Sequence, residues 1–266
     1  MAQPLHVPEK PSNLRRNTAI VLAVAAFTAL TVTPQIGGIA IDVDSIARNW
    51  RNGAAKLLQM LQPNFGFLAR TVQPMLETLQ MALVGAALSA VLSVPLTLWA
   101  ASTTNPNRVT RGIVRTLINI MRSVPDLVYA SILVAMVGVG ALPGVITLFL
   151  FNLGIVVKLV SEAIDSEDHA YVEAGHASGA TQFQINRAMA LPQVLPLFAN
   201  QWLYTLELNV RVSAILGLVG AGGIGRLLEE RRAFFAYDDV SIIILEILVV
   251  VVLVELISNW LRRRLV

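Results

Sequence analysis

Long apolar runs, separated by short polar and basic segments, make up most of this chain. An apolar run of roughly 17–25 residues can cross the hydrocarbon core of a membrane as an α-helix. The sequence therefore predicts an all-α integral membrane protein with about six spans, at residues 18–39, 73–100, 124–141, 143–160, 193–217 and 240–261. Only Leu142, Pro143 and Gly144 separate the third span from the fourth, so we predict a tight turn and a helical hairpin there.

The composition agrees with a membrane protein and excludes several kinds of site. Hydrophobic residues make up 55% of the chain and charged residues 14%, whereas a soluble domain has about 25% charged residues. The absence of cysteine excludes disulfides and thiolate chemistry. The three histidines, His6, His169 and His176, do not cluster in the sequence. We expect no catalytic residue, no metal site and no cofactor in this chain.

The basic residues predict the orientation in the membrane, since cytoplasmic segments carry an excess of Lys and Arg. With the N-terminus inside, the inner segments hold 12 of these residues and the outer segments hold 7. Both termini are therefore expected in the cytoplasm of a multi-pass protein of the cell membrane. A cleaved signal peptide is disfavoured because no convincing small-x-small site follows the first apolar run. We assign the net charge of +3 to orientation and not to nucleic-acid binding.

Three regions follow from this reading: a cytoplasmic tail at 1–17, a first span with an external amphipathic segment at 18–70, and a core at 71–266. In the external segment, Ile46, Trp50 and Leu57 fall on or near one helical face. We predict a helix that lies on the outer leaflet. The alternative is a rim that helps an external binding protein to dock.

A polar segment, Glu173 to Pro192, interrupts the apolar core with the sequence EAGHASGATQFQINRAMALP. The acids at 165–168 suit the N-terminus of a first helix, and Gly179 suits its C-terminal end. Thr181 and Gln184 have capping-box spacing for a second helix, which Pro192 should limit. We predict two short helices joined at Gly179 within a loop at 165–192.

Small residues would make the first of these helices thin, so that another protein surface can approach its backbone closely. Glu173 adds one charge that can pair with a basic group. The predicted contact residues are Glu173, Ala174, Gly175, Ala177, Ser178, Gly179 and Ala180. The alternative is an ordinary cytoplasmic loop.

The spacing of Glu173-Ala174, Gly179 and Leu191-Pro192 resembles the EAA loop of ABC importer membrane subunits. Gly175 and Met189 depart from the usual Ala and Ile of that pattern. The resemblance extends over most of residues 75–266. Segments 121–134, 157–165, 191–198 and 206–225 look like phosphonate-type ABC permeases, although related glycine motifs also occur in methionine-type permeases.

This resemblance implies a type I importer permease fold with a cytoplasmic coupling helix. It also implies a second permease copy, as a homodimer or a heterodimer, and two ATPase subunits that bind ATP and Mg²⁺. An external solute-binding protein would deliver phosphonate, phosphite or phosphate. The chain itself would bind no ATP.

The glycines near the end of the fifth span match G-x-G-x-x-G at Gly220, Gly222 and Gly225. The dinucleotide fingerprint requires a preceding strand within a βαβ unit, and a membrane span stands there instead. We predict close backbone packing or an irregular turn, with Gly223 included. This turn would form either a wall or gate of a translocation pathway, or a plain outer-end turn.

Glu207 and Arg211 lie within the fifth span at i, i+4 spacing and can share a helix face. Ionisable residues inside a membrane usually face a cavity or a partner. Arg211 suits an anion that enters from outside, whereas a Glu207–Arg211 pair would only fasten helices. Asn209 can donate hydrogen bonds in either role. For Glu77, Asp126, Glu246 and Glu255 we favour structural roles, with Glu255 reaching towards Arg262.

Three alternatives to a phosphorus-oxyanion importer remain from the sequence. The first is an ABC importer permease for another solute, such as an amino acid. The second is a stand-alone secondary transporter or channel, which would not need the small-residue loop. The third is an intramembrane enzyme, which no nucleophile–base pair or HExxH pattern supports.

Overall fold

The computed structural model describes residues 14–32, 43–166 and 170–265, and these residues form α-helices, short helical turns and connecting segments without a β-strand. The chain divides into two compact units, residues 1–56 and 57–266. The helices are α1 (Leu14–Val32), α2 (Val43–Met60), α3 (Leu68–Ala100), α4 (Arg108–Ser123), α5 (Asp126–Val137), α6 (Ala141–Ser166), α7 (Ala170–Ala177), α8 (Gln182–Ile185), α9 (Leu191–Leu216), α10 (Gly223–Ala233) and α11 (Tyr237–Leu265).

The N-terminal unit contains α1 and most of α2. The apolar stretch of α1, Asn17–Thr31, is shorter than the roughly 17–25 residues that cross the hydrocarbon core as a helix. The rest of the predicted first span, and residues 1–13 of the tail, lie outside the described residues. Helix α2 occupies the segment predicted to be amphipathic, and Ile46 and Trp50 on it are exposed.

The larger unit is a helix bundle in which α3, α6 and α9 pack against one another and α11 packs on α9. Helices α3 and α6 run in the same direction, since a Cβ on Gly85 would contact Leu148 while Ser102 meets Asp165 further along. Helix α9 runs against them. We call the end where α3 and α6 finish the lower end, and the opposite end the upper end.

Among the described residues, four helices are long and apolar enough to cross a membrane: Phe65–Ala100, Ala141–Ser166, Gln182–Val219 and Tyr237–Arg264. The prediction of a continuous third span at 124–141 is wrong. Its helix α5 has 12 residues and is bent by 84° from α4. Pro125 causes the break, because a residue before proline avoids helical geometry and Val124 is extended. The two helices together can count as a fifth, broken span.

The predicted turn at Leu142-Pro143-Gly144 is also wrong. These residues lie in the first turn of α6, where proline is tolerated because its missing N–H would be unpaired anyway. The chain reverses instead at Gly138 and Gly140, whose φ angles are +91° and +150°. Glycine adopts such angles without steric cost.

Close backbone approach holds the bundle together at several glycines. A Cβ on Gly144 would lie 2.5 Å from the carbonyl oxygen of Ala221, and one on Gly217 would lie 2.5 Å from the backbone of Gly225. Small residues at helix contacts are typical of membrane proteins, because lipid supplies no hydrophobic drive for helices to associate. Met81, Leu148 and Leu216 fill one buried cluster between these contacts.

We expect Gly225→Ala to destabilise the bundle, because the added Cβ would overlap the carbonyl of Ala214. Overpacking of this kind costs about 1–3 kcal/mol. Gly112→Ala in α4 is the matched control, since nothing lies within 4 Å of its Cβ position and alanine favours a helix. Thermal unfolding of the purified protein in detergent should separate the two variants. Equal midpoints would contradict this packing.

Candidate functional site

The polar segment folds largely as its local signals predict. Helix α7 spans Ala170–Ala177, and Gly179 follows it with φ +77°. The capping box forms, since the Thr181 side chain accepts from the Gln184 backbone while the Gln184 side chain accepts from the Thr181 backbone. Two helices thus meet at Gly179, as predicted.

Pro192 does not end the second helix, contrary to the prediction. Helix α8 continues through a π-helical turn, Asn186–Ala190, directly into α9. Pro192 lies near the start of α9, directly after the π-helical turn, and the helix continues past it to Leu216. The segment is therefore continuous with the long helix that crosses the bundle.

The predicted contact residues form one largely exposed surface on and after α7. Glu173, Ala174, Ala177, Ser178 and Gly179 are exposed, and Ala180 is half-buried. Gly175 is the exception: it is buried, and a Cβ there would lie 2.7 Å from Ile185. Gly175 therefore packs α7 on α8, while its neighbours face outward. Glu173 pairs with none of the described residues.

Asp165 was predicted to precede α7, but it belongs to the end of α6. Its Oδ1 accepts hydrogen bonds from the Ser102 N–H at 2.6 Å and the Ser102 hydroxyl at 2.8 Å. Its Oδ2 pairs with Arg115 of α4. Asp165 therefore joins α6 to the segment between α3 and α4. Residues 167–169 lie outside the described residues.

Helix α8 and the residue after it make a further contact with this segment that the sequence analysis missed. Gln182 Nε2 donates to the Thr103 carbonyl at 3.3 Å, and Asn186 Nδ2 donates to the Thr104 carbonyl at 2.8 Å. The i, i+4 spacing of two amide side chains is the only local signal for it.

The predicted Glu207–Arg211 pair does not form. Glu207 pairs with Arg262 of α11, and Arg211 lies 3.6 Å from Glu255 of the same helix. Glu255 therefore reaches Arg211 and not Arg262. Contacts between neighbouring helices prevail over the i, i+4 spacing, because antiparallel α9 and α11 bring opposite charges together along their length.

Asn209 faces the opposite side of α9 and is fully buried. Its Nδ2 donates to the Ala82 carbonyl of α3 at 3.0 Å, and its Oδ1 has no partner among the described residues. Asn209 therefore fastens α9 to α3, while Glu207 and Arg211 fasten α9 to α11. The three residues do not converge on one point.

The glycine motif forms an irregular turn at the upper end. Gly220, Gly222 and Gly223 have φ angles of +88°, +81° and +67°. The Gly220 carbonyl accepts from Gly140 N at 3.1 Å, so this turn contacts the reversal after α5. Gly225 lies inside α10, where it packs on α9. The predicted close packing and irregular turn are both present.

A cavity of about 290 Å³ lies beside the bend between α4 and α5, against α6. Arg122, Asp126 and Tyr129 supply its polar lining. Arg122 is exposed and pairs with no carboxylate among the described residues, so it differs from Arg211. Within the same ranges, no three His, Cys, Asp or Glu side chains are grouped as a metal ion requires.

Helix α10 carries a charged outer surface. Arg232 donates two hydrogen bonds to Glu229, at 2.7 and 2.5 Å, and these lower the pKa of that carboxyl below its ordinary value. Glu229 therefore stays ionised at neutral pH.

The Glu207–Arg262 pair offers a direct test of the α9–α11 contact. We expect Arg262→Gln to destabilise the protein by about 3–5 kcal/mol, because it leaves the buried Glu207 carboxylate unpaired. Arg263→Gln is the control, since Arg263 is exposed on the same helix. Chemical unfolding in detergent measures both. A similar loss in the two variants would argue against the pair.

Comparisons with known proteins agree with this architecture. Residues 93–266 match the family described as binding-protein-dependent transport system inner membrane component. A phosphite transport system permease protein of Stutzerimonas stutzeri is 42% identical over 205 residues, which is 77% of this chain and 74% of the relative. A phosphate-import permease protein of Mycolicibacterium smegmatis is 35% identical over 80% of this chain and 40% of the relative.

Among solved structures, an inward-facing MetNI methionine ABC transporter matches with a TM-score of 0.66 and 25% sequence identity. The match covers 76% of this chain and 99% of that chain. The all-helical bundle is thus a type I ABC importer permease fold. Since the family model spans well over half of the sequence, this chain belongs to the binding-protein-dependent transport system inner membrane components.

Proposed function

We propose that this chain forms the translocation pathway of an ATP-driven importer for a phosphorus oxyanion, namely phosphite, phosphonate or phosphate. The observation that carries the importer assignment is the exposed small-residue surface of α7 at the lower end. The phosphorus chemistry rests on the named substrates of the relatives, at 42% and 35% identity.

Helix α7 suits a docking contact with a separate ATPase for physical reasons. Ala174, Ala177 and Ser178 are small and exposed, so a partner groove can reach the helix backbone. Glu173 offers one carboxylate for a basic group of the partner. Because Gly175 packs α7 onto α8, a displacement of α7 would move the helix that continues into the bundle.

The complete importer would contain two copies of this chain, two ATPase subunits and an external solute-binding protein. ATP and Mg²⁺ would bind to the ATPases, while this chain is non-catalytic and holds no cofactor. The lower end would face the cytoplasm together with both termini, in agreement with the bias of Lys and Arg towards those segments.

Selection of the anion would rest mainly on the binding protein. Arg211 shares its charge with Glu255 at 3.6 Å, which reduces the attraction that it offers to a passing anion. We propose that Glu207, Asn209 and Arg211 shape the pathway by fastening α9 to α11 and α3, and that the glycine turn closes its upper end.

Docking on α7 can be tested by co-purification with the cognate ATPase. We expect Glu173→Ala combined with Ala174→Leu to abolish retention, because the variant loses the carboxylate and thickens the helix. Glu162→Ala is the control, since it removes an exposed carboxylate from the same end of the molecule but outside α7. If the double variant folds and retains the ATPase as wild type does, α7 is not the docking surface.

The substrate class requires a transport assay with the assembled complex. We expect proteoliposomes that hold this chain, its ATPase and its binding protein to accumulate at least one of phosphite, phosphate and a simple phosphonate when ATP is supplied. Omission of ATP is the control and should stop uptake. Accumulation of an amino acid instead, or uptake that continues without the ATPase, would overturn the assignment.

A further inference from the structure

The segment that joins α3 to α4, residues 101–107, is hydrogen-bonded to both helices, and we call it the elbow. The Thr104 hydroxyl donates to the Leu98 carbonyl at 2.6 Å, and Asn105 Nδ2 donates to the Trp99 carbonyl at 2.8 Å. Asn107 caps α4 by accepting from Val109 N at 2.9 Å. The first two bonds satisfy carbonyls at the end of α3, and the third satisfies an N–H at the start of α4.

Two helices of the bundle hold the elbow in place. Asp165 of α6 accepts from both polar groups of Ser102 and also from Thr103 N at 3.4 Å. Arg115 of α4 pairs with Asp165 and donates through Nε to the Ala100 carbonyl at 2.7 Å. The elbow is therefore fastened to α3, α4 and α6.

The segment after α7 also contacts the elbow. Asn186 donates to the Thr104 carbonyl and Gln182 to the Thr103 carbonyl. Gln182 Nε2 also donates to Asn186 Oδ1 at 2.9 Å, so the two side chains support each other. Gly175 packs α7 on the same short helix, against Ile185. A continuous set of contacts thus runs from the exposed surface of α7 to the elbow.

We infer that Gln182 and Asn186 are positioning residues that transmit movement of α7 to the elbow, and through it to α4. This inference rests on the proposed function, since it requires an ATPase that moves α7. The two amides are partly buried and lie outside the exposed surface of α7. Their proposed role is to couple α8 to the elbow through the hydrogen bonds to Thr103 and Thr104.

The elbow is connected to the upper end of the bundle through α4 and α5. It leads into α4, which is bent by 84° from α5. The far end of α5 reverses at Gly140, which bonds to the Gly220 carbonyl of the glycine turn at the upper end. Movement of the elbow would therefore reach the upper end through α4 and α5 as well as through α9.

Isosteric substitutions test the two amides. Asn186→Asp and Gln182→Glu keep the shape of each side chain but remove the N–H donors that reach the elbow carbonyls. Gln184→Glu is the matched control, because it changes charge in the same helix and keeps the oxygen that accepts from Thr181. Asn186→Ala is a second variant, which removes the donor without adding charge.

Three quantities are measured in proteoliposomes with the ATPase and binding protein: ATPase retention, ATP hydrolysis, and substrate transported per ATP hydrolysed. We expect Asn186→Asp, Gln182→Glu and Asn186→Ala to retain the ATPase, while transport per ATP falls by at least about fivefold, the lower range of coupling between sites. Gln184→Glu should transport as wild type does. When Gln182→Glu and Asn186→Asp are combined, transport per ATP should fall by less than the product of the two single reductions, since both amides act on one elbow.

The outcomes separate this inference from the proposed function. If wild type retains no ATPase or shows no ATP-driven uptake, the proposed function fails. If wild type is coupled and the three variants, folded by thermal unfolding, transport as much per ATP as wild type, the inference alone is overturned. Loss in Gln184→Glu equal to that in Gln182→Glu would also overturn it, because charge and not the elbow contact would then be responsible.

Discussion

The burial of polar groups inside an apolar solvent is the constraint on which this structure depends. Lipid provides no hydrophobic drive for helix association, so close backbone contacts and polar pairs must fasten the helices. Asn209 joins α9 to α3, Glu207 and Arg211 join α9 to α11, and Asp165 joins α6 to the elbow. The charged residues within the spans, Glu207 and Arg211, are costly alone, and each has a partner of opposite charge on α11.

Local signals made part of the functional segment predictable. The capping box of Thr181 and Gln184 and the positive φ of Gly179 depend on neighbours within a few residues, so the sequence contains all that is needed. The four long spans were predictable for a similar reason, since length and hydropathy decide them. The prediction of a turn at Pro143 failed because proline is equally acceptable in the first turn of a helix.

Contacts between distant segments could not be predicted in this way. Glu207 and Arg211 have the spacing of a local pair, yet each has its partner on α11, and only the packed bundle brings those partners close. Asn186 likewise reaches Thr104, which is 82 residues away in the chain. A single sequence shows that an amide or a carboxylate needs a partner, and it does not show where that partner lies.

The π-helical turn at Asn186–Ala190 has a consequence for the azimuth of α8. A π-turn bonds i to i+5 and so holds one residue more than an α-turn, while each α-helical residue rotates the chain by about 100°. Helix α8 is therefore out of phase with an uninterrupted continuation of α9 by roughly that angle. This one-residue offset therefore determines which face of α8 lies towards residues 101–107.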